Sequence, residues 1–168
     1  MKNIDWEEYE DIVKPILESS EFQKRKNFAH HDNISVYDHS LAVSKRAYLW
    51  AKKRGLDYQS AAIAGLLHDF YTRPWQENKE KKPFLKQHGF VHAKEAMDNS
   101  YYYFPEYMNE VIANSILRHM FPLNKIPPKY KIGWIVTLSD KVVSFEVFKH
   151  PKSLHKLIGL GKRGDKNE

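Results

Sequence analysis

The sequence predicts an all-α fold, a single compact domain of about six or seven helices. Apolar residues recur at steps of three and four along several stretches, which is the spacing of one helix face, and no stretch alternates long enough to indicate a strand. Apolar residues make up 42% and charged residues 29% of the 168 residues. These proportions are typical of a globular protein long enough for one full core.

The composition excludes several classes of protein. The chain has no cysteine, which excludes a disulfide scaffold, a thiolate metal site and a cysteine nucleophile. No apolar run approaches the roughly 18 residues of a membrane span, and the acidic, polar N-terminus does not fit a signal peptide. We therefore expect a cytoplasmic protein with no membrane partner. The net charge of +6 suits an anionic ligand, either nucleic acid or a phosphorylated small molecule.

Residues 1–29 are predicted to form a helical extension packed on the core. Helical spacing of apolar residues runs over 5–18, and 22–28 fits a short second helix. The charged run of residues 24–26 within that second helix is typical of a solvated face. Residues 30–33 are polar and turn-forming, which indicates a turn.

A long helix is predicted over residues 38–54, capped by Ser35 or Asp38 and ended by Gly55. His39 lies in its first turn, on the same face as three apolar residues: Val43, Ala47 and Trp50. A single histidine in such a position is more often a packed core residue than a ligand. His39 therefore becomes a candidate ligand only in combination with other residues.

The helix predicted over residues 58–69, with Asp57 as its N-cap, is apolar on nearly every side and hence buried. It ends in His68 and Asp69. A buried carboxylate needs a cation, hydrogen-bond donors or a metal, because desolvating it alone costs several kcal/mol. The simpler alternative is a helix end at which Asp69 caps the next turn.

Two histidines open the following helix, after a charged loop over residues 70–83. His88 and His92 are four residues apart, which on a helix places two imidazoles on one face. Gly89 indicates that the helix begins between them, so a shared metal does not follow from the spacing. Residues 101–105 are predicted to connect this helix to the next.

The two remaining predicted helices each carry a polar group on an apolar surface. His119 follows the helix at 105–118 and continues its apolar stripe. Asp140 lies within the almost wholly apolar helix at 129–147, where a carboxylate requires a compensating charge. Lys141 points about 100° away and is not automatically its partner.

The groups that stand out along the chain are all imidazoles and carboxylates. A simple packing role for all of them at once is less plausible than for each alone. Imidazole with carboxylate suits Fe, Mn, Zn, Ni and Co, with Mg as a further candidate. The set comprises His39, His68, Asp69, His88 or His92, His119 and Asp140.

The order of these residues resembles the HD-domain superfamily of metal-dependent phosphohydrolases. The resemblance covers about residues 30–147 and rests on a histidine, a His-Asp pair after an alanine-leucine run, and a late buried aspartate. The matching segments are Tyr37-Asp38-His39-Ser40-Leu41-Ala42-Val43, Leu66-Leu67-His68-Asp69-Phe70 and Leu138-Ser139-Asp140-Lys141. It implies an all-α fold, one or two divalent transition metal ions, and hydrolysis of a phosphate ester or anhydride, often of a nucleotide.

The resemblance also implies roles for individual residues. The first metal would be held by His39, His68, Asp69 and Asp140. His88, in a His-Gly setting, and His119 would hold a second metal, with Asp69 as the bridging and catalytic carboxylate. Candidate substrate contacts are Arg73, His92, Arg118 and Lys141.

Two other functions compete with the hydrolase. A non-catalytic basic module could bind nucleic acid or a structural metal, but the lysines are dispersed and no recognition signature is present. A metal-dependent lyase or oxygenase on the same scaffold is the other alternative.

Motifs of the subfamilies that read cyclic dinucleotides or stringent-response nucleotides are absent. The C-terminal residues 148–168 are predicted to form a short helix and a tail. The sequence indicates no oligomeric state.

Overall fold

A computed structural model describes residues 5–31, 34–71, 84–149 and 158–159, with the backbone alone described at 29–31 and 84–90. Over these residues the chain folds into seven α-helices. The all-α class is confirmed. The helices are α1 (Trp6–Leu17), α2 (Ser20–Gln23), α3 (Val36–Lys53), α4 (Tyr58–Leu67), α5 (Phe84–Tyr103), α6 (Glu110–Arg118) and α7 (Lys131–Lys149). Short 3-10 turns lie at Lys24–Asn27 and Pro105–Tyr107, and a small antiparallel pair joins β1 (Ala29–His31) to β2 (Ile34–Ser35).

Polar side chains fix where most of the helices begin. The predicted cap Asp57 accepts a hydrogen bond from the Ser60 amide at 3.0 Å, and of the two alternatives at α3 it is Ser35 that caps, at 3.1 Å from the Asp38 amide. Such caps satisfy amide groups that have no partner within the helix. Gly55 ends α3 with φ of +64°, a conformation that side chains rarely adopt.

Helix α4 lies at the centre of the molecule. Its residues 60–67 are buried, and it packs against α3, α6, α7 and α1. The Tyr9 hydroxyl of α1 donates to the Ser44 hydroxyl at 2.9 Å, which in turn donates to the Ala62 carbonyl of α4 at 2.7 Å. These buried hydrogen bonds join the N-terminal region to α3 and α4.

The structure corrects two predictions in the N-terminal part of the chain. Of the turn predicted at 30–33, residues 30 and 31 instead belong to β1, which pairs with β2, and residues 32–33 lie outside the described residues. Strands this short leave too little alternation to recognise in the sequence. The charged run at 24–26 is only partly a solvated face. Lys24 and Lys26 are exposed, but Arg25 is buried, since aromatic rings from elsewhere in the chain cover it.

Two helix boundaries also differ from the prediction. Helix α5 begins at Phe84 and includes Gly89, because one glycine costs a helix only about 1 kcal/mol. It continues through residues 101–103, where a connection was predicted, and ends before Phe104, since the residue preceding a proline disfavours helical geometry. The helix predicted from 105 is instead a 3-10 turn, followed by α6 with Asn109 as its N-cap.

Predictions for 72–83 lie outside the described residues, as do those for most of 148–168. Among the residues that the structure describes, no helix is both long and apolar enough to cross a membrane.

Candidate metal centre

Five helices bring imidazoles and carboxylates to one place inside the molecule. These groups come from the first turn of α3, the end of α4, the middle of α5, the end of α6 and the middle of α7. In that order they are His39, His68 with Asp69, His92, His119 and Asp140. The close packing of α4 against α3, α6 and α7 makes this meeting possible.

The first group consists of His39, His68 and Asp140. The Nε2 atom of His39 lies 3.0 Å from Oδ1 of Asp140, and the Nε2 atom of His68 lies 3.6 Å from the same oxygen. Both imidazoles are buried, whereas the Asp140 side chain is 15% exposed. One potential ligand atom from each residue lies within 4.8 Å of the others, which is close enough for one metal ion.

The second group shares His68 and adds Asp69 and His119. Oδ2 of Asp69 lies 3.5 Å from Nε2 of His68, and Oδ1 lies 3.6 Å from Nε2 of His119. His92 reaches the same carboxylate, with its Nε2 atom 3.3 Å from Oδ1 of Asp69 and 3.2 Å from Nε2 of His119. The two oxygens of Asp69 thus face different imidazoles, the arrangement expected of a bridging carboxylate.

Two of the histidines are oriented by the helix that each one ends. Nδ1 of His68 donates to the Gly65 carbonyl at 2.8 Å, and Nδ1 of His119 donates to the Ile116 carbonyl at 2.7 Å. A carbonyl can only accept, so Nδ1 carries the proton and Nε2 is left as the potential ligand atom. Histidines that bind metals are commonly oriented in this way.

The donor set fits a divalent transition metal. Nε2 of His68 is fully buried and has no hydrogen-bond partner among the described residues. A buried nitrogen facing two carboxylates requires a cation or a proton between them. The mixture of imidazole and carboxylate suits Fe, Mn, Zn, Ni or Co, and the geometry does not select among them.

The electrostatics of the centre also favour a cation. Burial lowers the pKa of His68, but the carboxylates of Asp69 and Asp140 outweigh burial and raise it to about 9. Burial and the neighbouring His68 lower the pKa of His119 to about 3. Burial raises the pKa of Asp140, but the hydrogen bond from His39 and the adjacent His68 imidazole hold it well below its usual range. Asp140 thus remains ionised and attracts positive charge.

The structure describes three of the four predicted substrate contacts, and they differ in their distance from the metal ligands and in their exposure. His92 lies within the second group. Arg118 is half-buried, and its Nε atom has no hydrogen-bond partner among the residues described here. Lys141 is exposed, with Nζ 3.5 Å from the His119 carbonyl. Arg73 and the side chain of His88 lie outside the described part of the chain.

Sequence reasoning did not single out Tyr71. This residue is 6% exposed, and its ring meets that of His92 edge to face with centroids 6.2 Å apart. Burial and the nearby Asp69 carboxylate raise its pKa. Its position two residues after Asp69 was the available signal, but nothing in the sequence shows on which side of the carboxylate the ring lies.

A protein-family model matches more than half of the chain. The family model described as HD domain matches residues 36–144, which include every histidine and aspartate of the two groups. The matched span begins at α3 and ends within α7. Neither the curated proteins nor the solved structures contain a significant match.

Proposed function

The chain belongs to the HD-domain family, part of the metal-dependent phosphohydrolase superfamily, and on this basis we propose that it hydrolyses a phosphate ester or anhydride of a small molecule, with nucleotides as the leading substrate class. The observation that carries the proposal is the pair of His/Asp groups sharing His68 in the interior. Two adjoining groups of this kind offer positions for two ions.

We assign the first ion to His39, His68, Asp69 and Asp140, and a second to His119 and His88 with Asp69 shared. We place His92 near the second ion, because its Nε2 atom lies beside the Asp69 carboxylate. A divalent metal there would supply a Lewis acid that polarises the phosphoryl oxygens and activates a water molecule.

The residues of the chain have distinct proposed tasks in the reaction. Asp69 orients the attacking water and accepts its proton, while the water oxygen forms a bond to phosphorus and the bond to the leaving oxygen breaks. His92 gives a proton to that leaving oxygen, since its Nε2 atom already lies beside the carboxylate. Arg118 and Lys141, each next in the chain to a residue of the centre, neutralise charge that develops on the phosphoryl oxygens. Arg73 remains a predicted contact.

The test combines elemental analysis of the purified protein with phosphate release from a panel of nucleotides, with and without chelator. We expect bound transition metal and release that the chelator abolishes. Asp69→Ala should abolish release while leaving the helical circular dichroism unchanged. Asp98→Ala is the matched control, because it removes an exposed carboxylate of α5 that pairs with Lys94.

Each other result selects a different function. Bound metal without release from any nucleotide would contradict the substrate class and favour the lyase or oxygenase alternative. Absence of metal after reconstitution would contradict the site itself. The nucleic-acid alternative would then be tested by the salt dependence of binding, which is steep for phosphate-backbone contacts.

A further inference from the structure

Arg25 is a buried cation outside the region that matches the family model. It lies in the 3-10 turn after α2, and it is 2% exposed. Its guanidinium carbon lies 4.2 Å from the ring centroid of Phe70 and 5.3 Å from that of Phe28. The two rings therefore hold the guanidinium through cation–π contacts.

One edge of this guanidinium has no partner within the part of the chain that the structure describes. Nη1 donates to the Glu21 carbonyl at 2.9 Å, whereas Nε and Nη2 are buried without a hydrogen-bond partner among the described residues. A charged donor left unpaired in the interior costs several kcal/mol. The Nε–Nη2 edge is also the face of arginine that binds two oxygens of a phosphate or carboxylate together.

The surroundings of Arg25 connect it to the metal centre. Phe70, under the guanidinium, directly follows Asp69 in the chain. Phe28 stacks on Tyr71 with centroids 6.4 Å apart, and the Tyr71 ring lies 6.2 Å from that of His92. A chain of ring contacts thus links the N-terminal extension, which carries Arg25, to the candidate site.

The charge of Arg25 also interacts with α5. Burial lowers the pKa of Arg25, and the negative charges of Glu21 and Glu95 oppose that effect. Glu95 lies three residues, about one turn, from His92 on the same helix. The electrostatic surroundings of Arg25 thus include the helix that carries His92.

We propose that the Nε–Nη2 edge of Arg25 binds a phosphoryl group of the substrate other than the one that is cleaved. This inference rests on the proposed function and narrows its substrate class to molecules with at least two phosphoryl groups, such as nucleoside diphosphates or triphosphates. A phosphoryl group provides the two oxygens that this edge requires, and its charge compensates the buried guanidinium. Because Arg25 is only 2% exposed, a group bound to it is enclosed.

The test uses the full chain with chelator present, so that metal does not contribute. Melting temperature is measured against inorganic pyrophosphate and against inorganic phosphate for wild type, Arg25→Met and Arg25→Lys. Arg46→Met is the matched control, because Arg46 is a second partly buried arginine whose Nη1 and Nη2 atoms already bind Glu146 at 2.9 and 2.6 Å.

We expect pyrophosphate to stabilise the wild type and the Arg46→Met protein alike. Arg25→Met should melt at the same or a higher temperature without anion, because an unpaired buried charge has been replaced by an apolar side chain. Its half-maximal pyrophosphate concentration should rise roughly tenfold or more, the loss expected for two charge-assisted hydrogen bonds. Arg25→Lys keeps the charge but not the two-donor edge, and its response should be intermediate.

Three results would overturn the proposal. One is an equal pyrophosphate response in wild type and both Arg25 variants. Another is the absence of any response in wild type. The third is an Arg25-dependent response to phosphate that pyrophosphate does not exceed, which would assign a site for free anions instead of a substrate group.

The failure of this proposal can be distinguished from failure of the proposed function. Metal content and chelator-sensitive phosphate release in wild type test the function and do not involve Arg25. If both hold, Arg25→Met should retain metal, raise KM for di- and triphosphates and leave the KM of monophosphates unchanged. An equal rise in KM for monophosphates would contradict the assignment of a second phosphoryl group.

Discussion

Gly65 is the position where a single methyl group should disturb both the fold and the metal centre. A Cβ atom added there would lie 2.9 Å from Cα and 3.2 Å from the amide nitrogen of Ser44, and 3.3 Å from the carbonyl oxygen of Val43. All three atoms are backbone atoms of α3, so no side chain can rotate away. In Gly65→Ala the two helices must therefore separate by several tenths of an ångström.

The expected magnitude is a balance of two terms. Overpacking a core contact costs about 1–3 kcal/mol, whereas alanine is favoured over glycine within a helix by about 1 kcal/mol. The net loss in the free energy of unfolding for Gly65→Ala is then about 0–2 kcal/mol. At this chain length each kcal/mol lowers the melting temperature by about 2–4 °C.

The same change should weaken metal binding by more than its effect on stability suggests. His39 lies on α3 and His68 on α4, with ring centroids 5.3 Å apart. The Gly65 carbonyl also orients His68. Separating the helices moves one imidazole relative to the other, and loss of such orientation typically costs 10–100-fold in metal affinity.

The assay for Gly65→Ala combines urea denaturation of the metal-free protein with a metal titration. Gln59→Ala is the matched control, since it places alanine at an exposed position of the same helix. The control should be near neutral in both measurements. A Gly65→Ala protein that is more stable than wild type and binds metal equally well would refute the close-packing argument.

Two further predictions concern stability away from the centre. Hydrogen bonds from Lys52 and Tyr58 lower the pKa of Glu8, so its stabilising effect is present above pH 4.5 and is lost as the pH falls through its folded-state pKa. The difference in unfolding free energy between wild type and Glu8→Gln, measured in urea at several pH values, should shrink below that pH; a constant difference would contradict this. Asn109→Ala removes the N-cap of α6, because the side-chain oxygen Oδ1 of Asn109 accepts a hydrogen bond from the Ile112 amide at 2.8 Å. The free energy of unfolding should fall by about 1 kcal/mol, and Asn109→Asp should recover most of that loss.

The sequence predicted the fold class and most of the residues that meet at the centre, because helix periodicity and caps are local. A carboxylate in an apolar helix, Asp140, required a partner, but the chain alone could not say which. His39, the partner at 3.0 Å, is 101 residues away and meets it only through the packing of α3 against α7. Partners of this kind depend on tertiary structure.

The burial of Arg25 was missed for a related reason. A Lys-Arg-Lys run is typical of a solvated surface, and two of its three residues behave in that way. Arg25 does not, because Phe70, 45 positions later in the chain, covers its guanidinium. The sequence also left the choice between His88 and His92 open, because Gly89 indicated that a helix begins between them. Gly89 instead lies inside α5.

The centre uses one local device twice, and this explains why it was visible in the sequence. His68 and His119 each follow the last residue of a helix, and the Nδ1–H of each donates to the carbonyl three residues earlier. A helix end leaves its last carbonyls without partners, so an imidazole placed there satisfies one of them and is oriented at the same time. Its other nitrogen must then point onward, into the interior. Two such nitrogens directed at Asp69 create a demand for positive charge that packing alone does not meet.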